Sequence, residues 1–240
     1  MFKLADISPA SCLLACIVAL ALPGLTSTSY AAGMLPDTTI VLINAADGEG
    51  SINVTNTDAD AALLHTNLEN IAEDQQTLLV VTPPITRVEA GQKQMVRFIV
   101  QSAEPITTQR LKRVTFEGIP HRKPSAGSTL SVNVRQNLPV VIHPEGLAMK
   151  SDPWTLLKWT QDGDTLNVSN DSPYVVRLHK QLMLIPGTRI AELPTPYVLP
   201  GQKFSLPLKG DATTSKATSV RFTPASLYGF AVASFDAPLN

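Results

Sequence analysis

Four histidines, His65, His121, His143 and His179, are the residues best suited by type to proton transfer or metal ligation, and their spacing serves neither. No two stand four apart, as a pair of ligands on one helical face would. His65 and His179 each close an apolar stretch and alternate with apolar neighbours, which places them on strand faces. The chain has no Gly-x-Ser-x-Gly elbow, no phosphate-cradling glycine loop and no zinc spacing. Asp47-Gly48-Glu49-Gly50 is acidic, but four residues make a tight turn between strands rather than a calcium loop. Asn53-Val54-Thr55 and Asn167-Val168-Ser169 match a glycosylation sequon and read more simply as strand and turn chemistry. A net charge of −1 with both signs interspersed carries no nucleic-acid footprint. These residue types predict a protein that is not an enzyme, with no cofactor, no metal and no nucleic-acid partner.

The N-terminus has the pattern of a secretory signal. Lys3 precedes an apolar run from Leu13 to Leu22, then Pro23-Gly24, then a polar stretch ending in Ser29-Tyr30-Ala31. Ten apolar residues are too few to span a bilayer. Leu13-Leu14-Ala15-Cys16 loosely resembles a lipobox, but the apolar core lies mostly after Cys16. Residues 1–31 are therefore expected to be removed on export, leaving a soluble chain with no stable membrane insertion. Both cysteines, Cys12 and Cys16, leave with the signal, so disulfides and thiol chemistry are excluded from the mature protein.

Strand signals dominate what remains. Thr39–Ile43, Thr77–Val81, Met95–Val100 and the run Val175–Leu184 are short, mostly rich in β-branched residues and punctuated by Gly, Pro, Asn and Asp. Leu63–Glu73 is the one helix-like stretch, but it lacks a clean apolar face and reads as a strand running into a loop. Of the 19 prolines only Pro9 and Pro23 precede Ala32, and the rest argue against long helices. The fold class expected is an all-β sandwich. A weak repeat doubles it. Ile52–Asp58 is echoed by Leu166–Ser172, and Val88–Lys93 by Val198–Lys203, at offsets of 114 (Asn56 to Asn170) and 110 (Gly91 to Gly201). Two domains follow, 32–146 and 147–240, with the boundary near Pro144-Glu145-Gly146.

Ser128–His143 is the most informative segment. Leu130, Val132 and Val134 alternate with Ser131, Asn133 and Arg135, giving one apolar and one polar face. Pro139 cannot donate a ladder hydrogen bond, which marks an edge strand. Exposed edges are templates on which another chain can add a strand. The alternative is that Leu130, Val132 and Val134 fill their own domain's core, and composition does not separate the two.

From here the sequence resembles the periplasmic pilus-assembly chaperones of the chaperone–usher pathway. The resemblance rests on Thr82-Pro83-Pro84-Ile85 leading through Ala90-Gly91 to Val96-Arg97, on Leu111–Pro120 ending in Ile119-Pro120, and on Asn170-Asp171-Ser172-Pro173-Tyr174. It implies two tandem immunoglobulin-like β-sandwich domains in a boomerang arrangement, located in the periplasm. It implies a function in binding, folding and capping pilin subunits by donor-strand complementation and delivering them to an outer-membrane usher. The donor role falls on Leu130, Val132 and Val134, with Leu138 further along the same strand. The short, cysteine-free His121–Gly127 loop is similar to the branch that assembles rigid, often adhesive pili. In the family an Arg and a Lys hold the subunit's terminal carboxylate in the interdomain cleft. The matching positions here are Ile40 and Pro139, which leaves Arg135, Arg97 and His143 as candidate anchors. A structural or adhesive pilus component is the competing function, against which the missing cysteines and the two complete repeats count.

Overall fold

The computed structural model describes residues 33–120, 134–210, 216–228 and 232–240, and Ala32–Asn240 form one compact unit. Among the described residues there is no α-helix, as the proline content leads one to expect; two short 3-10 turns, Ala45–Asp47 and Pro153–Leu156, interrupt the strands.

Among the described residues, the strands of the first domain are β1 (Met34–Pro36), β2 (Val41–Asn44), β3 (Glu49–Asn56), β4 (Ala62–Glu69), β5 (Leu79–Thr82), β6 (Ile85–Val88), β7 (Lys93–Val100), β8 (Arg110–Pro120) and β9 (Arg135–His143). They form two sheets, ordered β1-β3-β7-β5 and β2-β9-β8-β4-β6. Alternation along the strands sends Ile52 and Val54 of β3, Val96 and Phe98 of β7, Val114 and Phe116 of β8 and Val140 and Ile142 of β9 into one shared core between the sheets. Leu63–Glu73 resolves as β4 followed by a loop, as its sequence suggested.

Those of the second, again among the described residues, are β10 (Lys158–Asp162), β11 (Thr165–Ser169), β12 (Val176–Arg177), β13 (Gln181–Ile185), β14 (Ile190–Glu192), β15 (Tyr197–Val198), β16 (Lys203–Pro207), β17 (Ser219–Phe222) and β18 (Phe235–Pro238). They are ordered β10-β11-β16, β12-β15 and β14-β13-β17-β18. Their core centres on Trp159, fully buried and tilted against Phe222 at a ring separation of 5.4 Å. The run Val175–Leu184 is two strands and not one. β12 pairs with β15, β13 pairs with β14 and β17, and the change of partner breaks the ladder at Leu178–Lys180.

The repeat read from the sequence is reproduced atom for atom. Asn56 and Asn170 are both fully buried. Asn56 Nδ2 donates to the carbonyl of Val88 at 2.9 Å, and Asn170 Nδ2 to that of Val198 at 2.9 Å. Each Oδ1 accepts from a backbone N–H two residues on, Asp58 at 3.0 Å and Ser172 at 3.1 Å. The N–H groups of Gly91 and Gly201 close the same turn onto the carbonyls of Asn56 and Asn170. Gly91 and Gly201 have φ of 70° and 75°, where a Cβ is disfavoured. One asparagine thus ties a strand end to a glycine turn twice over, and each of its polar atoms is satisfied.

Candidate functional site

β9 is the element around which the site is built. On one side it pairs with β8 from Arg135 to Ile142. On the other it meets β2, parallel, only from Val140 onward. Over Arg135–Pro139 that second edge pairs with no strand among the described residues. Pro139 stands just before β2 begins, where a missing N–H is tolerated.

Burial along the inward face falls toward the open end. Ile142 and Val140 are fully buried, Leu138 is 7 % exposed and Val134 is half-buried. Leu138 is counted in the first domain's own core, and it pairs with Val114 of β8 in the same sheet. Leu130 and Val132 lie outside the described residues, as do His121 and the 1–31 segment.

The three candidate anchors do not converge. Arg97 lies on β7 in the other sheet and pairs with Glu49, which removes it from the β9 edge. His143 is 5 % exposed and both ring nitrogens are engaged, Nδ1 with Gln109 Nε2 at 3.0 Å and Nε2 with the carbonyl of Leu147 at 2.8 Å. No ring nitrogen remains to meet a carboxylate. Arg135 is on β9 and shares the outer face with Asn137 and Pro139, but it is exposed and already holds Glu117 at 2.8 Å. Pro139 is also four residue steps further along the strand, about 13 Å along the edge.

Ile40 is not a vacant anchor position. It is 5 % exposed in an apolar seam that joins the domains, with Ile71, Leu111 and Val141 from the first and Val175 from the second. Polar bonds lock the rim of that seam. Gln109 donates its N–H to the carbonyl of Pro173 at 2.8 Å and accepts the Val175 N–H on Oε1 at 2.9 Å. Tyr197 donates its hydroxyl to Glu73 at 3.0 Å, and burial followed by that carboxylate pushes its pKa up to about 12.

Beside the seam opens a cleft of about 630 Å³, lined from the first domain by Leu111, Arg113 and Pro139 and from the second by residues that include Arg177, Tyr197 and Lys209. Arg113 faces Pro139 across the β8–β9 ladder and is steadied by Asn137, its Nε on Oδ1 at 2.7 Å and its Nη2 on the carbonyl at 2.9 Å. Arg177 comes from β12, and its Nη1 is buried with no hydrogen-bond partner. Burial lowers the pKa of both guanidinium groups; Glu69 and then Tyr197 offset this for Arg113, whereas for Arg177 the charge of Arg113 adds to it. Sequence reasoning missed this pair because 64 residues separate its members (177 minus 113). No local signal marks the pair, because the register that sets Arg113 opposite Pro139 appears only in the folded β8–β9 ladder.

Comparisons with known proteins agree with this architecture. The profile of the pili and flagellar-assembly chaperone, PapD N-terminal domain, matches residues 33–148, and that of the pili assembly chaperone PapD, C-terminal domain, matches 152–234. The fimbrial chaperone YhcA of Escherichia coli K12 is 41 % identical over 84 % of this chain and 88 % of its own. Among solved structures, the Salmonella enterica SafA pilin in complex with the SafB chaperone gives a TM-score of 0.70 at 18 % identity, covering 88 % of this chain and 98 % of that one. The E. coli chaperone DraB gives 0.69 at 20 % identity, covering 87 % and 98 %. At those identities the solved structures speak for the fold alone.

Proposed function

We propose, from the premise that this chain belongs to the family of pili and flagellar-assembly chaperones, that it captures incomplete pilin subunits on the open edge of β9. The observation that carries the reading is that edge: β9 is held from one side along Arg135–Pro139, and no strand among the described residues pairs with its other side in front of β2. A subunit lacking a strand gains ladder hydrogen bonds there and fills its groove with the apolar side chains that alternate in the sequence at Leu130, Val132 and Val134. The protein carries out this work in the periplasm, residues 1–31 having served as the export signal, and it does so by binding rather than by catalysis.

Delivery to an outer-membrane usher needs a second surface that stays free while β9 is occupied. Leu63, Ile85 and Ile119 supply one. They are 42 %, 56 % and 40 % exposed on the outer face of β4, β6 and β8, where Leu63 pairs with Ile119 and His65 with Ile85. Three large apolar side chains exposed together mark an interaction surface.

The test is Val132→Asp in the mature chain, co-expressed with the genes of its fimbrial cluster. Burying one such side chain contributes about 1.5–3 kcal/mol, and an unpaired charge in the subunit's groove adds a further penalty. The variant is expected to fold and to protect no subunit from degradation. Undiminished protection would remove Val132 from the donor face, and a variant that fails to fold would return Val132 to its own domain's core.

A further inference from the structure

His143 closes β9 where three segments meet, and its hydrogen bonds form one chain across the seam. Its Nε2 is 2.8 Å from the carbonyl of Leu147, in the stretch that leads to the second domain. Its Nδ1 and the Nε2 of Gln109 are 3.0 Å apart, and Gln109 Oε1 lies 2.9 Å from the N–H of Val175 in the second domain. Gln109 is 2 % exposed, so a bond that fails there leaves a buried polar group unpaired.

The partners at the two ends fix every proton between them. A carbonyl only accepts, so His143 Nε2 carries the hydrogen that reaches Leu147. A backbone N–H only donates, so Gln109 turns its oxygen to Val175 and its NH2 group to His143. Nδ1 is therefore an acceptor, and the chain is complete only with a neutral imidazole. A proton on Nδ1 sets two donors against each other at the 3.0 Å contact. Turning the Gln109 amide over relieves that contact but points the NH2 group at the Val175 N–H. Neither orientation satisfies a charged ring.

The titratable groups on the surrounding elements are engaged elsewhere or face solvent. On β8, Arg110 beside Gln109 is turned to Asp74 at 2.6 Å. From the second domain, Tyr174 donates its hydroxyl to the carbonyl of Ala148 at 2.7 Å. Asp47, in the turn after β2, and Glu145, next but one to His143, are exposed. The two ring nitrogens meet Gln109 and Leu147 and none of these groups.

We propose that His143 and Gln109 form an acid-released latch between the domains, shut while the imidazole is neutral and opened by its protonation. The latch is a property of the free chain and goes beyond strand capture. Together with the Gln109 N–H on the carbonyl of Pro173, it holds Val175 in the seam, and its release loosens the second domain at that point.

Hydrogen exchange of the Val175 amide, followed by NMR in the free mature chain, reads the latch directly. Histidine ordinarily changes charge between about pH 5 and about pH 8, so the Val175 protection factor is expected to fall about tenfold from about pH 7.5 to about pH 5. The Val100 amide, bonded to the carbonyl of Gly48 within the first domain, is the control and should keep its protection. His143→Gln retains a donor toward Leu147 but takes up no proton, and is expected to lose the pH dependence. Gln109→Glu is expected to reverse it, because a carboxylate accepts from the Val175 N–H and from a charged imidazole alike. Constant Val175 protection in wild type over this range overturns the latch. So does an equal fall in His143→Gln, or a Gln109→Glu variant that still loses protection in acid.

Discussion

Lys112 is a charged residue buried to 3 % exposure, and the groups around it explain how that is sustained. Its ammonium meets the Asp74 carboxylate at 3.0 Å, Asn70 Oδ1 at 2.9 Å and the carbonyls of Asp74 and Gln76 at 2.7 Å each. Arg110 closes on Asp74 from the other side at 2.6 Å. Burial by itself would raise the Asp74 pKa, but the hydrogen bonds and charges of Arg110 and Lys112 outweigh it and hold the carboxyl below its ordinary value. For Lys112 the balance is reversed, and burial lowers its pKa despite Asp74. The pair is therefore favourable at its carboxylate end and costly at its ammonium end. Asp74→Asn leaves the buried ammonium without its counter-charge and is expected to lower stability by about 3 kcal/mol, read from urea unfolding. The pH dependence follows from the depressed carboxyl. Asp74's contribution is present above its unfolded-state value near 4 and is lost as pH falls through the lower folded-state value. Wild type is thus expected to lose stability below about pH 4 more steeply than Asp74→Asn. None of this was legible in the sequence, where Lys112 was one residue of a family-like stretch and nothing marked Asp74. Which charge is buried depends on a pairing 38 residues apart in the chain (112 minus 74).

At the scale of elements the reading of β9 divides at Leu138. The alternation from Leu130 to Val134 was legible as a two-faced strand, and the competing interpretations, partner groove or own core, stood level on composition. The structure places Leu138 in the core and leaves Val134 half-buried. Leu138→Ala should therefore open a cavity and cost the free protein about 2–5 kcal/mol, whereas Val132→Ala is expected to change its stability by no more than about 0.5 kcal/mol. Urea unfolding of the two variants without subunit checks this, and equal losses would place both in one core. The outer face of the same sheet carries a separate expectation. Ile119→Asp puts a charge among Leu63, Ile85 and Ile119 on a surface β9 does not use. Subunit complexes should accumulate in the periplasm at wild-type levels while surface fimbriae are lost, as counted by electron microscopy. Fimbriae at wild-type density would show that delivery does not pass through this patch. The Val175–Leu184 run shows why local pattern was insufficient elsewhere. Its residues are strand-like throughout, and only the exchange of β15 for β14 and β17 as partners divides it.

For the whole molecule the question is what joins the domains. The two-domain all-β architecture was legible from the repeat, since one asparagine-and-glycine turn recurs with its hydrogen bonds intact at Asn56 and Asn170. The seam was not, because Ile40, Ile71, Leu111, Val141 and Val175 come from five separate stretches and none is marked by its neighbours. Ile40 was legible only as a missing cation, and the seam supplies the physical reason for an apolar side chain there. At 5 % exposure among aliphatic groups, a guanidinium would be desolvated. Ile40→Arg, which places a cation where the family usually has one, is therefore expected to weaken this protein. The variant should lose several kcal/mol of stability if the seam stays shut. If the seam parts instead, the arginine reaches solvent, Leu111 and Val175 lose their cover, and the radius of gyration from small-angle X-ray scattering rises. Subunit capture should fall in both cases, because the cleft beside Pro139 is lined from both domains. A variant that keeps wild-type melting, scattering and capture would mean that the seam tolerates charge, and that Ile40 is not what holds the two domains together.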